Sequence, residues 1–174
     1  MLEIEALRFA WRGAVHDTLQ IDTLTVARGE TLFLYGPSGT GKSTLLGLLA
    51  GVLMPSRGQV RLLGVDWASL SAAQRDARRA EHVGYIFQQF NLLPYLSVLD
   101  NVLLTVRFSA RRGAQAARHA GSAVEAAQSL LQRFGLAAAL WRRPAAMLSV
   151  GQQQRVAAAR ALIGRPELVI ADEP

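Results

Sequence analysis

A glycine-rich stretch at residues 36–44 constrains this chain more than any other feature. It reads Gly-Pro-Ser-Gly-Thr-Gly-Lys-Ser-Thr and fits the pattern G-x-x-x-x-G-K-[ST]. The apolar run before it, Thr31–Tyr35, predicts a buried strand, and the run from Lys42 to about Ala50 predicts a helix after it. Glycines let the backbone of such a loop wrap round phosphate oxygens. The N–H groups of the loop and of the helix start would then point at the anion.

The side chains of this loop suit the binding of a nucleotide together with a magnesium ion. Lys42, the only lysine of the chain, would bring a positive charge to the β- and γ-phosphates. Ser43 would offer its hydroxyl to Mg²⁺. The residues expected to surround the phosphates are Gly36, Pro37, Ser38, Gly39, Thr40, Gly41, Lys42, Ser43 and Thr44.

A second motif lies at the end of the sequence. The apolar run Leu168–Ala171 predicts a buried strand, and two acids, Asp172 and Glu173, follow it directly. Beside a phosphate-binding loop, Asp172 would hold Mg²⁺ and Glu173 would act as the general base for an attacking water. Many strands end in acids, so this motif indicates a magnesium site only in combination with the glycine-rich loop.

A third motif, Leu148–Arg155, opens an apolar helix predicted over 151–163. The hydroxyl of Ser149, the backbone of Gly151 and the positive end of the helix would together form another anion site. Two phosphate sites so far apart in sequence suggest composite sites across a dimer. By itself, the segment would also fit an ordinary capped core helix.

Composition excludes several classes of protein. With 51% hydrophobic residues the chain is not disordered, and without cysteine it has no disulfide scaffold, Cys-ligated zinc or thiol nucleophile. The stretch around Leu45–Met54 is too short to cross a bilayer, and acids stand where a signal peptide carries basic residues. We therefore expect a soluble, intracellular chain. The net charge of +6 favours a solvated arginine surface, with nucleic acid or an anionic membrane as alternatives.

The order of the predicted elements indicates an α/β core that carries a helical insertion. Strands are expected at 2–9, 19–26, 31–35, 59–63, 83–87 and 168–171, and helices at 42–50, 71–81, 98–106, 114–134 and 151–163. Residues 1–88 and 147–174 would form the core, and about 89–146 the helical subdomain.

In this order the motifs resemble the ATP-binding domain of ABC transporters, over essentially the whole chain. The family's motifs fall on Gly36–Thr44 (Walker A), Gln88 (Q-loop), Leu148–Gln152 (signature) and Asp172 with Glu173 (Walker B). The resemblance implies a P-loop NTPase fold, with a RecA-like core, N-terminal antiparallel strands and a helical insertion. Residues 91–102 resemble the subgroup of lipoprotein-release and macrolide-export ATPases.

The resemblance also implies a mechanism and partners. The protein would bind ATP and Mg²⁺ and hydrolyse ATP in a head-to-tail dimer, coupled to a separate transmembrane permease at the cytoplasmic face of the cell membrane. Ser149, Gly151 and Gln152 would face the ATP held by the other copy, and Gln88 would couple Mg²⁺ and the attacking water to the permease. Trp11 would stack on adenine, although an ordinary buried tryptophan is the alternative. No nucleic-acid partner is expected.

Two departures from the family pattern bear on activity. Val150 replaces the first signature glycine, which predicts reduced rather than abolished hydrolysis. The family continues past Walker B with a D-loop and a histidine, whereas His16, His82 and His119 all lie upstream. We therefore expect either a clipped copy of a complete ATPase or a fragment that binds ATP without turnover. A non-transport ABC protein, acting in DNA repair or on ribosomes, and a simple P-loop kinase are the rival interpretations.

Overall fold

The computed structural model of the chain describes residues 1–173 and separates into two units, Met1–Asp76 and Ala77–Pro174. Pro174, the end of the predicted core segment 147–174, lies outside the described residues. The division into a core and a helical subdomain near residues 89–146 stays a prediction.

Four antiparallel strands form the sheet of the first unit, in the order β2-β1-β3-β4. They are β1 (Leu2–Phe9), β2 (Leu19–Val26), β3 (Arg57–Leu62) and β4 (Val65–Asp66). The strands predicted at 2–9 and 19–26 are confirmed, and the strand predicted at 59–63 begins two residues earlier.

The burial pattern of β1 changes phase at Ala6. Leu2 and Ile4 are buried, as expected for alternate residues of a strand, but then Leu7 is buried and Ala6 is exposed. Ala6 has a φ of 48°, and the pairing with β3 shifts register between Glu5 and Arg8. Such a bulge turns the following side chains to the opposite face, which brings Leu7 and Phe9 into the core.

Helix α1 (Lys42–Leu49) confirms the predicted helix after the glycine-rich loop and buries Leu45, Leu48 and Leu49. The fully buried Trp67 lies close to its end and donates Nε1–H to the carbonyl of Leu49 at 3.2 Å. Gly51 has a φ of 69°, and a Cβ there would lie 2.5 Å from the Trp67 ring. The end of α1 therefore depends on a residue without a side chain.

The buried strand predicted at Thr31–Tyr35 is wrong for this structure. The segment lies outside the strands, and Phe33 and Tyr35 are 82% and 99% exposed. A strand requires hydrogen bonds to a neighbouring strand. Within residues 1–173, neither sheet includes this segment. Its apolar composition indicated strand propensity, but propensity without a pairing partner does not make a strand.

A two-stranded parallel sheet lies in the second unit. Strands β5 (Val83–Ile86) and β6 (Leu168–Ala171) pair from Val83 with Leu168 to Ile86 with Ala171. Both confirm predicted strands. Helix α2 (Ala72–His82), which precedes β5, confirms the predicted helix. Ser71 lies before it, and its Oγ accepts a hydrogen bond from the Gln74 N–H at 3.3 Å.

Four further helices carry the core of the second unit: α3 (Val98–Phe108), α4 (Ala110–Ala120), α5 (Ala123–Arg133) and α6 (Val150–Leu162). Their buried apolar residues, such as Val102, Leu131, Val156 and Ile163, form one cluster. Within residues 1–173, every helix is too short or too polar to span a membrane.

The single helix predicted over 114–134 is wrong, because two helices occupy this stretch. Gly121, with a φ of 91°, ends α4. Ser122 then caps α5 by accepting a hydrogen bond from the Glu125 N–H at 3.1 Å. A cap that satisfies the first N–H groups of a new helix favours a break over continuation.

Arg112 on α4 is a buried charge, only 1% exposed. Its Nε donates to the Ile163 carbonyl at 2.8 Å, its Nη2 to Ala161 at 2.7 Å and its Nη1 to Val83 at 3.3 Å. Carbonyls at a helix end lack partners within the helix, and a cation complements the negative end of its dipole. Burial lowers the pKa of Arg112 to about 10, so the side chain stays charged at neutral pH.

Replacing Arg112 with Met is expected to lower the free energy of unfolding by about 2–4 kcal/mol, because buried carbonyls would lose their donor. Urea denaturation followed by circular dichroism measures this change. Arg118→Met, on an exposed position of the same helix, should stay within about 0.5 kcal/mol of the wild type. Equal stabilities of the two variants would show that Arg112 does not support α6.

Glu167, just before β6, is hydrogen-bonded to two basic side chains. Its carboxylate lies 2.9 Å from His82 Nδ1, and it accepts hydrogen bonds from both terminal nitrogens of Arg111. Partial burial by itself raises the pKa of Glu167, but the hydrogen bonds from Arg111 and His82, with the Arg111 charge, lower it below its ordinary value of 4.5. The network joins the end of α2, the start of α4 and the start of β6.

This lowered pKa predicts a pH-dependent stability. The contribution of Glu167 is fully present above the unfolded-state pKa of about 4.5 and is lost as the pH falls through the lower folded-state pKa. We expect Glu167→Gln to lower the free energy of unfolding at pH 7 by about 1–3 kcal/mol. At a pH below the folded-state pKa of Glu167, the variant and the wild type should have the same free energy of unfolding. Denaturation curves across the acid range measure this, and a difference independent of pH would contradict it.

Candidate functional site

The side chain of Lys42 lies against the backbone of the glycine-rich loop. Lys42, the first residue of α1, donates from Nζ to the carbonyls of Gly36 at 2.8 Å and Pro37 at 2.9 Å. Thr40 donates from Oγ1 to the Pro37 carbonyl at 2.9 Å. An ammonium group has three N–H donors, so one can still reach an anion. The exposed loop therefore presents a positioned positive charge to solvent.

The start of α1 adds a second attraction for anions. Within residues 1–173, no side chain caps this helix, and no acid lies in its first turn. The N-terminus of a helix carries a partial positive charge and N–H groups without helical partners. Position 41, just before the helix, requires glycine, because its φ is 91° and a Cβ would lie 2.8 Å from the Leu19 side chain.

Trp11 lies just after β1 with 51% of its surface exposed. Its ring meets Phe9 edge to face, with ring centroids 5.1 Å apart at 85°. The deeply buried tryptophan of this unit is Trp67, not Trp11. An open indole face suits stacking on a purine, so the predicted role of Trp11 remains a prediction.

In the second unit, Gln88 and Glu173 meet at the carboxyl ends of the parallel strands. Each lies two residues beyond a strand end, and those ends, Ile86 and Ala171, are paired. The Asp172 N–H donates to the Ile86 carbonyl at 3.0 Å and extends the pairing. Gln88 Nε2 then donates to Glu173 Oε2 at 2.6 Å. The strand register therefore brings together residues 85 positions apart.

A neutral aromatic pair adjoins these groups. Tyr85 and Phe87 stack with ring centroids 4.2 Å apart. Burial, and then the negative charge of Asp172, raise the pKa of Tyr85 to about 12. Tyr85 therefore keeps its proton at neutral pH.

The residues predicted to hold Mg²⁺ are all oxygen donors, which is the chemistry that this ion prefers. They are Ser43 in the first unit and Gln88 and Asp172 in the second. Because a carboxylate only accepts hydrogen bonds, the bond to Glu173 turns the nitrogen of the Gln88 amide toward it and leaves the amide oxygen for a cation. Residues 1–173 hold no cluster of three or more His, Cys, Asp or Glu side chains suited to a metal.

The predicted anion-binding segment forms the start of α6. Ser149 caps the helix, accepting from the Gln152 N–H at 3.4 Å, and Gln152 Oε1 accepts from the Ser149 N–H at 3.0 Å. Val150 is 71% exposed. A Cβ on Gly151 would meet no described atom within 4 Å. Since glycine weakens a helix, and no neighbouring group of this chain requires one there, the position suits close approach by something outside it.

Two residues that the sequence analysis missed hold the segment after Gln88. Arg160 on α6 donates to the carbonyls of Phe90 and Asn91, both at 2.6 Å. The fully buried Asn101 exchanges hydrogen bonds with the backbone of Leu93, at 2.8 Å and 3.0 Å. A polar residue inside an apolar helical pattern was the available signal for both.

Comparison with known proteins identifies the family. The sequence model described as ABC transporter matches residues 19–174. The chain belongs to the ABC transporter family. The motif resemblance is thereby confirmed.

Relatives of this ABC chain include ATP-binding proteins of the predicted subgroup. It is 40% identical, over its whole length, to a macrolide export ATP-binding/permease protein MacB of Rhodopirellula baltica, covering 25% of that protein. It is 46% identical over 87% of its length to a lipoprotein-releasing system ATP-binding protein LolD of Anaeromyxobacter dehalogenans, covering 60% of it. The chain therefore spans a quarter to three fifths of these two relatives.

Solved ABC cassettes share the fold. The dimeric post-hydrolysis structure of the ATP-binding cassette MJ0796 bound to ADP and Pi matches 99% of this chain and 73% of its own, with a TM-score of 0.85 and 31% identity. This confirms the predicted α/β P-loop NTPase fold class.

The predicted site residues of this ABC chain fall into three groups. Lys42 and its loop lie in the first unit, and Gln88, Asp172 and Glu173 meet at the strand ends of the second. Ser149, Gly151 and Gln152 form the start of α6. The assignment of these residues to ATP and Mg²⁺ is a proposal, argued below.

Proposed function

We propose that this protein is the ATP-binding subunit of an ABC transporter, and that it hydrolyses ATP in a head-to-tail dimer to drive a membrane permease. The observation that carries the proposal is the 2.6 Å hydrogen bond between Gln88 and Glu173. The bond joins Glu173, a potential general base, to the amide of Gln88. This amide could bind a cation and could also contact a neighbouring protein.

The glycine-rich loop would bind the phosphates of ATP. Lys42 carries the positive charge, and the N–H groups of the loop and of the start of α1 supply donors. Trp11 would stack on the adenine ring. These contacts account for binding, and they do not by themselves cleave a bond.

Hydrolysis would use the groups at the ends of β5 and β6. Glu173 accepts a proton from water as the water oxygen bonds to the γ-phosphorus, and the bond to the β–γ bridging oxygen breaks, so that ADP leaves with the electron pair. Ser43, Asp172 and the amide oxygen of Gln88 would hold Mg²⁺. When bound, this ion offsets the negative charge of the phosphates.

A second copy would complete each site. The start of α6 presents Ser149, Gly151 and Gln152, and Gly151 has open space where a side chain would be. A nucleotide bound to the other copy can approach its backbone there. The exposed Val150 would crowd this approach, which accounts for the expected reduction in turnover. The related MJ0796 cassette was solved as a dimer.

The names of the relatives support a role in transport, since they describe macrolide export and lipoprotein release. We propose a transmembrane permease as the partner and the cytoplasmic face of the cell membrane as the location. The segment after Gln88 would contact the permease, because it links the hydrolysis site to the helices that follow.

Phosphate release from ATP by the purified protein tests this function. We expect release that requires Mg²⁺ and a turnover per chain that rises with protein concentration, because each site needs two copies. Binding of a fluorescent ATP analogue is measured in parallel. Gly151→Asp should abolish release while binding is retained, and the exposed Arg142→Ala should change neither. Binding without release by the wild type would reduce the function to nucleotide binding alone.

A further inference from the structure

The turn that follows Gln88 is strained. Phe90 and Asn91 have φ values of 58° and 47°, in the left-handed region. This conformation costs about 1–2 kcal/mol for a residue with a side chain, and it is unusual for a bulky one such as Phe90. Consecutive residues of this kind persist only where the surrounding structure holds them.

Arg160 supplies that hold. Its Nη2 donates to the Phe90 carbonyl and its Nη1 to the Asn91 carbonyl, each at 2.6 Å. The two nitrogens of one planar guanidinium thus engage two consecutive carbonyls, a geometry that lysine cannot reproduce. Hydrogen bonds within the turn, from the Phe90 N–H to Phe87 and from the Asn91 N–H to Gln89, complete it.

An open pocket of about 210 Å³ adjoins this contact and is lined by Phe87, Asn91, Thr105 and Arg160, among others. Arg160 itself is anchored on α6, where its carbonyl accepts a hydrogen bond from Thr105 Oγ1 of α3 at 3.1 Å. Burial lowers the pKa of Arg160, but arginine titrates so far above 7 that it stays charged. Its hydrogen bonds are therefore charge-assisted and strong.

We infer that Arg160 is a positioning residue, which fixes the backbone of Phe90 and Asn91 and thereby holds Gln88 against Glu173. It acts through Gln88 and not by contact with nucleotide or water. The inference rests on the proposed function of Gln88 and Glu173 in hydrolysis. Since Ser149 caps α6, one helix connects the site offered to the second copy with the turn that orients Gln88.

Arg160→Met tests the inference through two measurements. Amide hydrogen exchange of residues 87–92 is expected to quicken about tenfold or more, because two charge-assisted hydrogen bonds are lost. The kcat for ATP should fall about 10- to 100-fold while the KM stays within about twofold, since Lys42 and its loop are untouched. Arg160→Lys, which can keep one carbonyl contact, should be intermediate. Arg118→Met, at an exposed position of α4, should change neither quantity.

Several outcomes would overturn the inference. Unchanged exchange in residues 87–92 would mean that Arg160 does not hold the turn. Faster exchange with an unchanged kcat would mean that the turn does not position Gln88. If Arg160→Met does not fold, Arg160→Lys decides by the same two readouts. A wild type without phosphate release would count against the proposed function, and the exchange measurement would still decide whether Arg160 fixes the turn.

Discussion

Replacing Lys42 with Met is expected to lower the rate of ATP hydrolysis about 10²- to 10³-fold, the cost of removing a preorganised charge from a transition state. The lysine has two tasks in this structure. Its ammonium supplies positive charge, and it also clamps the carbonyls of Gly36 and Pro37. Methionine fills similar space and performs neither task. Weaker binding of a fluorescent ATP analogue should accompany the loss of phosphate release.

Two controls separate the tasks of Lys42. Lys42→Arg keeps the charge but replaces the compact ammonium group with a planar fork, so affinity that survives in this variant would assign binding to charge alone. Arg57→Met removes an exposed charge from the same unit and should change nothing. If Lys42→Met bound and hydrolysed ATP like the wild type, the glycine-rich loop would not be the phosphate site.

The motifs and most elements could be predicted because their signals are local. The alternating pattern of β1, the glycines before α1 and the apolar run of β6 each follow from residues close in sequence. The break between α4 and α5 was also signalled locally, by Gly121 and then Ser122 with Glu125 three residues later, a capping-box pattern. The apolar residues spaced along one face of the stretch 114–134 favoured a single helix over this break.

Other features depend on partners distant in sequence. Thr31–Tyr35 has the composition of a buried strand, but strand formation depends on a neighbour that composition does not name. The Gln88–Glu173 contact follows from the register of β5 on β6, and only the family resemblance pointed to both residues. The acceptors of Arg112 and Arg160 are backbone carbonyls, which leave no mark in a sequence. The burial of these two arginines depends on how α4 and α6 pack, which the sequence does not show.

Replacing Glu173 with Gln is expected to lower phosphate release about 10²- to 10⁴-fold, the usual contribution of a general base, while ATP binding is retained. The amide has nearly the shape of the carboxylate, and its oxygen can still accept the hydrogen bond from Gln88 Nε2, so the strand ends should stay as they are. What is lost is the ability to take a proton from water. Single-turnover phosphate release, measured beside binding of the ATP analogue, checks both parts of this expectation.

Asp172→Asn is the matched comparison, because it changes the neighbouring acid in the same way. If Asp172 holds Mg²⁺, its variant should need more Mg²⁺ to reach a given rate, whereas Glu173→Gln should be slow at every Mg²⁺ concentration. The two acids are adjacent at the end of β6, and Glu173 is hydrogen-bonded to Gln88. A shared phenotype would mean that the two acids act together on the cation. Separate phenotypes would assign the proton to Glu173 and the cation to Asp172, the division of roles that hydrolysis at these strand ends requires.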